Sequence, residues 1–96
     1  MKVRFTRRAT TQIATAVDYV AERSPKGAAS LRDRLRELIG VLEDYPYAGR
    51  RTSRRGVRRL AATPYPYLID YRIVETEVVV MRFRHAARRD PVDGGA

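Results

Sequence analysis

Ninety-six residues suit one domain built around one modest core. The chain has no cysteine and a single histidine, so disulfides, thiolate metal sites and a structural zinc centre are not expected. Its formal net charge is +9, carried by arginine far more than lysine, and that points to an anionic macromolecule or an acidic protein as partner.

Residues 2–6 alternate, with Val3 and Phe5 to one side, and read as a short strand. Thr6 can cap a helix over 7–23, whose apolar positions Ala9, Ile13, Ala16, Val17 and Val20 share one face. Arg7 and Arg8 fall in its first turn, where the helix dipole disfavours cations by a small amount. Ser24 and Pro25 are a restart signal, serine as cap and proline at the first helical position. A second helix then runs to about Asp44, with Ala28, Leu31, Leu35, Leu38 and Leu42 at three- and four-residue steps. The stripe spans too few heptads for a coiled coil, and Ile39 and Val41 widen it, so core packing against the first helix is the expectation. Tyr45 and Pro46 end it.

Residues 47–56, YAGRRTSRRG, read as a loop with four arginines. Three strands follow, over 57–62, 67–74 and 78–84. The first stops at the turn Thr63-Pro64-Tyr65-Pro66, and the last two are joined through Glu75-Thr76-Glu77 as an antiparallel hairpin. In the middle strand Tyr67, Ile69, Tyr71 and Ile73 oppose Leu68, Asp70, Arg72 and Val74. In the last, strict alternation sets Val79, Met81 and Phe83 against Val78, Val80, Arg82 and Arg84. The side away from the core would then collect Arg59, Arg72, Arg82 and Arg84 around Asp70. Like charges so gathered cost stability unless something anionic meets them. Residues 1–49 carry nine basic and six acidic side chains, whereas 50–89 carry eleven and three, so the sheet half holds the field.

The order strand, helix, helix, three strands predicts an α+β fold, β-α-α-β-β-β, with a helical hairpin on one face of a small antiparallel sheet. One domain is expected over 1–91, with a flexible tail at 92–96. No apolar run reaches the length of a membrane span and the N-terminus lacks a signal-peptide core, so a cytoplasmic location is expected.

The phrases Asp44-Tyr45-Pro46, Gly49-Arg50, Val57-Arg58-Arg59-Leu60, Tyr71-Arg72 and the ending RFRHAARRDP resemble the RelE/ParE superfamily of toxins from type II toxin–antitoxin pairs. The resemblance covers nearly the whole chain and rests on the order and spacing of these phrases. It implies one of two activities, RelE-like cleavage of messenger RNA on the ribosome or ParE-like inhibition of DNA gyrase without established chemistry. Either would be neutralised by a cognate antitoxin in a hetero-oligomer, and no cofactor or metal is implied.

Cleavage through a ribose 2′-hydroxyl needs a base, charge stabilisation at phosphate and an acid for the leaving oxygen. Arg59 with Arg82 or Arg84 can stabilise phosphate, and His85, with an ordinary pKa of roughly 6.5, can move a proton. However, Ala86 stands where nuclease relatives carry an aromatic residue, and Lys2 and Lys26 are the only lysines. The ending HAARRDP is more similar to the ParE side. The expectation is a gyrase poison with no catalytic residues, binding target or antitoxin through Arg50, Arg51, Arg54, Arg55, Arg59, Arg72, Arg82, Arg84, Arg88 and Arg89. The alternative is a ribosome-dependent endonuclease using Arg59, Arg82, Arg84 and His85. A DNA-binding regulator comes third, because no helix reads as a basic recognition helix.

Overall fold

The computed structural model describes residues 1–87. The tail expected at 92–96, and Arg88 and Arg89, lie outside the described residues. Seven elements follow in order: β1 (Lys2–Phe5), α1 (Arg7–Arg23), α2 (Pro25–Asp44), β2 (Arg50–Arg51), β3 (Arg58–Ala61), β4 (Tyr67–Val74) and β5 (Glu77–His85). The five strands form one sheet in the order β1-β5-β4-β3-β2, and the helical hairpin covers one of its faces.

Both helices begin where side-chain chemistry allows. The Thr6 hydroxyl accepts the Ala9 N–H at 3.1 Å. Ser24 serves twice: its own N–H closes α1 on the Val20 carbonyl at 2.7 Å, and its hydroxyl accepts the Gly27 N–H at 2.9 Å to open α2. The stripe Ala28, Leu31, Leu35, Leu38 and Leu42 is buried throughout, against Ala9 and Val17 of α1 and Ile69, Tyr71, Val78, Val80 and Phe83 of the sheet. This is the expected α+β arrangement.

Three details differ from the sequence reading. The first is that β1 pairs with β5 in parallel, from Lys2 opposite Glu77 to Phe5 opposite Val80, so the sheet is mixed rather than wholly antiparallel. A parallel pair needs a long crossover, and the helical hairpin with β2 to β4 supplies it. Past the last pair, the Thr6 N–H donates to the Val80 carbonyl at 3.0 Å and its hydroxyl to the Met81 carbonyl at 3.2 Å.

The second difference lies inside β5. Asp70 faces Arg82 while its neighbour Tyr71 faces Val80, so Met81 is an extra residue in a β-bulge. The bulge shifts the alternation by one. Val78, Val80 and Phe83 all join the core, and Val79 turns to the other face beside Arg72. Without it, either the two valines or the phenylalanine would leave the core. The third difference is the 47–56 stretch, which is not a plain loop. It contains β2 and a turn in which the Thr52 hydroxyl accepts the Arg54 N–H at 3.1 Å and donates to the Val57 carbonyl at 3.0 Å. Gly56 completes the turn at φ 78°, a conformation other residues adopt at a cost.

Candidate anion-binding surfaces

Residues paired across strands share a face, so the register sorts the arginines. Arg50 pairs with Arg59, Arg59 with Asp70, and Asp70 with Arg82, all on the helix-free face. Arg84 opposite Leu68 and Arg72 opposite Val79 complete it. The expected set Arg59, Arg72, Arg82 and Arg84 is therefore together, with Arg50 added. Arg51 pairs with Arg58, and Arg58 with Tyr71, which puts these two on the helix side. Each Arg-Arg step on β2 and β3 thus sends one side chain to each face.

The centre of the helix-free face is Asp70, only 2% exposed. Arg59 grips it with two hydrogen bonds, Nε to Oδ1 at 2.7 Å and Nη2 to Oδ2 at 3.3 Å, and Arg82 Nη1 lies 3.9 Å from Oδ2. The hydrogen bond to Asp70 raises the Arg59 pKa above its ordinary value, against the effect of burial. Arg82 goes the other way. Burial is the main cause of its depression; Asp70 opposes it, and the positive charges of Arg84, Arg8 and Arg54 add to it. Buried beside them, Arg84 Nε has no hydrogen-bond partner among the described residues. One carboxylate thus answers several cations, and the excess positive charge is what an anionic partner would meet.

His85 stands apart from this cluster. It pairs with Tyr67, on the helix side of the sheet, and its ring sits edge-on to Tyr67 with centroids 5.4 Å apart. Tyr67 in turn stacks on Phe83 in the core at 4.9 Å. The His85 Nδ1 accepts the Ala87 N–H at 3.1 Å. The four residues named for a nuclease do not converge: Arg59, Arg82 and Arg84 share one face and His85 lies on the other.

The arginine loop is anchored by Tyr71. Its buried hydroxyl donates to the Pro46 carbonyl and accepts the Gly49 N–H, both at 2.8 Å. Burial raises the phenol's pKa, against the Gly49 hydrogen bond and the Arg58 charge. Arg58 donates to the Gly49 carbonyl at 2.8 Å and rests its guanidinium 5.0 Å from the centre of the Tyr47 ring. Beside it opens a cleft of about 490 Å³ whose lining includes Tyr47, Arg51, Arg54, Arg55 and Arg58. Among the described residues no group of three or more His, Cys, Asp or Glu is placed to hold a metal ion, and no helix is long and apolar enough to cross a membrane.

Sequence reasoning grouped Asp70 with the arginines and missed its role as their shared acceptor. The signal was available: it is the one acid in 67–74, at the position where Arg59 and Arg82 flank it in an antiparallel register. Arg58 and Tyr47 were missed as a pair because their contact joins a loop to a strand and leaves no periodic trace.

Comparison with known proteins agrees with this geometry. A family model described as the ParE toxin of the type II toxin–antitoxin system parDE matches residues 3–90. Toxin RelE2 of Caulobacter vibrioides is 34% identical over 87 residues, covering 91% of this chain and 97% of that protein. Among solved structures, the chromosomal ParDE toxin–antitoxin system of P. aeruginosa superposes with a TM-score of 0.80 at 23% identity, over 88% of this chain and 95% of the other. A YoeB/ParE toxin from Agrobacterium tumefaciens gives 0.62 at 17% identity, over 88% and 98%. The chain belongs to the ParE toxin family, within the RelE/ParE superfamily of type II toxin–antitoxin toxins.

Proposed function

We propose that this toxin acts as ParE-like members do, by binding and poisoning DNA gyrase without chemistry of its own. A cognate antitoxin neutralises it in a hetero-oligomer. The observation that carries the reading is the separation of His85 from the arginine face, with its Nδ1 already engaged by the Ala87 N–H. Phosphoryl transfer to a 2′-hydroxyl needs a proton acceptor beside the groups that hold phosphate. At the centre of the arginine face the only candidate among the described residues is Asp70, buried and held by Arg59 at 2.7 Å. Among the described residues, that face offers groups to hold an anion and no side chain placed to move its protons.

The antitoxin's contact is assigned to the same helix-free face, through Arg50, Arg59, Arg72, Arg82 and Arg84. An acidic antitoxin segment would supply the charge that Asp70 alone does not balance. Ribosome-dependent cleavage of messenger RNA is the second reading. It is favoured by the convergence of Arg59, Arg82 and Arg84, which suits a phosphate, although no base stands beside them among the described residues. The test is a pair of assays on the purified protein, plasmid supercoiling by gyrase and cleavage of message on programmed ribosomes. Inhibition in the first with an uncut message in the second is expected. Cut message with undisturbed supercoiling would replace this reading with the nuclease.

A further inference from the structure

The loop cleft is a second basic surface, distinct from the helix-free face and reaching beyond the gyrase reading. Arg51, Arg54 and Arg55 are exposed around it, and no carboxylate among the described residues lines it. Tyr47 is 64% exposed, an unusual amount for a large ring, and it is held rather than loose. Arg58 stands against the ring at 5.0 Å, and the chain on either side of Ala48 is fixed by the Tyr71 hydroxyl through Pro46 and Gly49. A rigid aromatic ring at the edge of an arginine-lined cleft is the combination that takes a base on its π-face and phosphates on its rim.

We propose that this cleft binds a single strand of nucleic acid, one base stacking on Tyr47 and the adjoining phosphates meeting Arg51, Arg54 and Arg55. A duplex fits less well, because its bases are already stacked and cannot reach the ring. An acidic peptide would satisfy the arginines equally, but its carboxylates have no use for an exposed aromatic face. The volume of about 490 Å³ accommodates one nucleotide unit.

Fluorescence anisotropy with labelled ten-residue oligo-dT and oligo-rU, in the absence of gyrase and over a range of salt, tests this. Failure here leaves the gyrase reading standing, and failure there leaves this one standing. Tight binding of either oligomer is expected. Tyr47→Ala should weaken it roughly five- to a hundredfold without changing the salt slope, while Tyr47→Phe retains it. Arg51→Ala and Arg55→Ala should each lower the slope by about 0.7. These side chains are exposed, so the variants should fold. A duplex of equal charge should bind more weakly and be indifferent to Tyr47. The proposal is overturned if Tyr47→Ala binds as the parent does. It is also overturned if polyglutamate of matched charge displaces the oligomers as well as they displace one another, which would mark a general polyanion or acidic-peptide surface.

Discussion

Substituting Asp70 by asparagine removes one negative charge from the middle of the arginine face with almost no change of shape. The carboxylate is 2% exposed, while the side chains of its partners Arg59 and Arg82 are 27% and 18% exposed. Removing one member of a fully buried ion pair costs about 3–5 kcal/mol, because the remaining charge stays desolvated. Here the cations retain some water and asparagine keeps one acceptor, so about 2–4 kcal/mol is expected. A chain of this size loses ~4–8 °C in Tm per kcal/mol, so the midpoint should fall by at least about 8 °C. Urea unfolding of Asp70→Asn, Arg59→Met and the double variant provides the coupling between the two residues. The variant should also gain more from added phosphate than the parent does, since its arginines repel without a shared acceptor. A loss below about 0.5 kcal/mol, the ordinary range for a surface substitution, would refute the central role given to Asp70.

Two further substitutions probe how the surfaces are held. Gly49→Ala would set a Cβ 2.7 Å from the Tyr71 hydroxyl and ring and 3.0 Å from the Arg59 carbonyl, so it should destabilise by about 1–3 kcal/mol. Thermal unfolding measures this, and an unchanged midpoint would show that the Tyr71 anchor can give way. Gln12→Leu should cost about 1–3 kcal/mol, because the buried Gln12 Oε1 accepts the Phe83 N–H at 2.8 Å just past the bulge and leucine leaves that donor unpaired. Hydrogen exchange at Phe83 should quicken in this variant; protection equal to the parent's would rule the contact out.

The helices were legible in the sequence because their signals are local. Thr6, Ser24 and Pro25 fix the caps, and the leucine stripe of α2 names its buried face residue by residue. The parallel docking of β1 was not legible, since strand partners separated by some 75 residues are chosen by the whole sheet. Nor was the bulge at Met81. The run Val78-Val79-Val80 is apolar throughout, so alternation alone does not say which valines face the core. The four arginines expected on one face do share it, with Arg50 added, although strict alternation would have placed Val78 and Val80 there as well. Asp70 lay among the arginines in the reading, yet its burial follows from their side chains closing over it, and such packing leaves no periodic trace. His85 is different. It follows Arg84 by one residue, so alternation alone sets it with Phe83 on the face opposite Arg82 and Arg84, and the register agrees.

The most direct test of the functional account is gyrase supercoiling inhibition by two variants measured beside the parent. His85→Gln alters the one histidine, on the helix side of the sheet, and Arg50→Glu reverses an exposed charge on the arginine face, one strand out from the Asp70 pair. The account predicts parent-like inhibition by His85→Gln. For Arg50→Glu it predicts several-fold weaker inhibition, as reversal of a rim charge at an electrostatic interface should produce. Inhibition that vanishes with His85→Gln and ignores Arg50→Glu would contradict it.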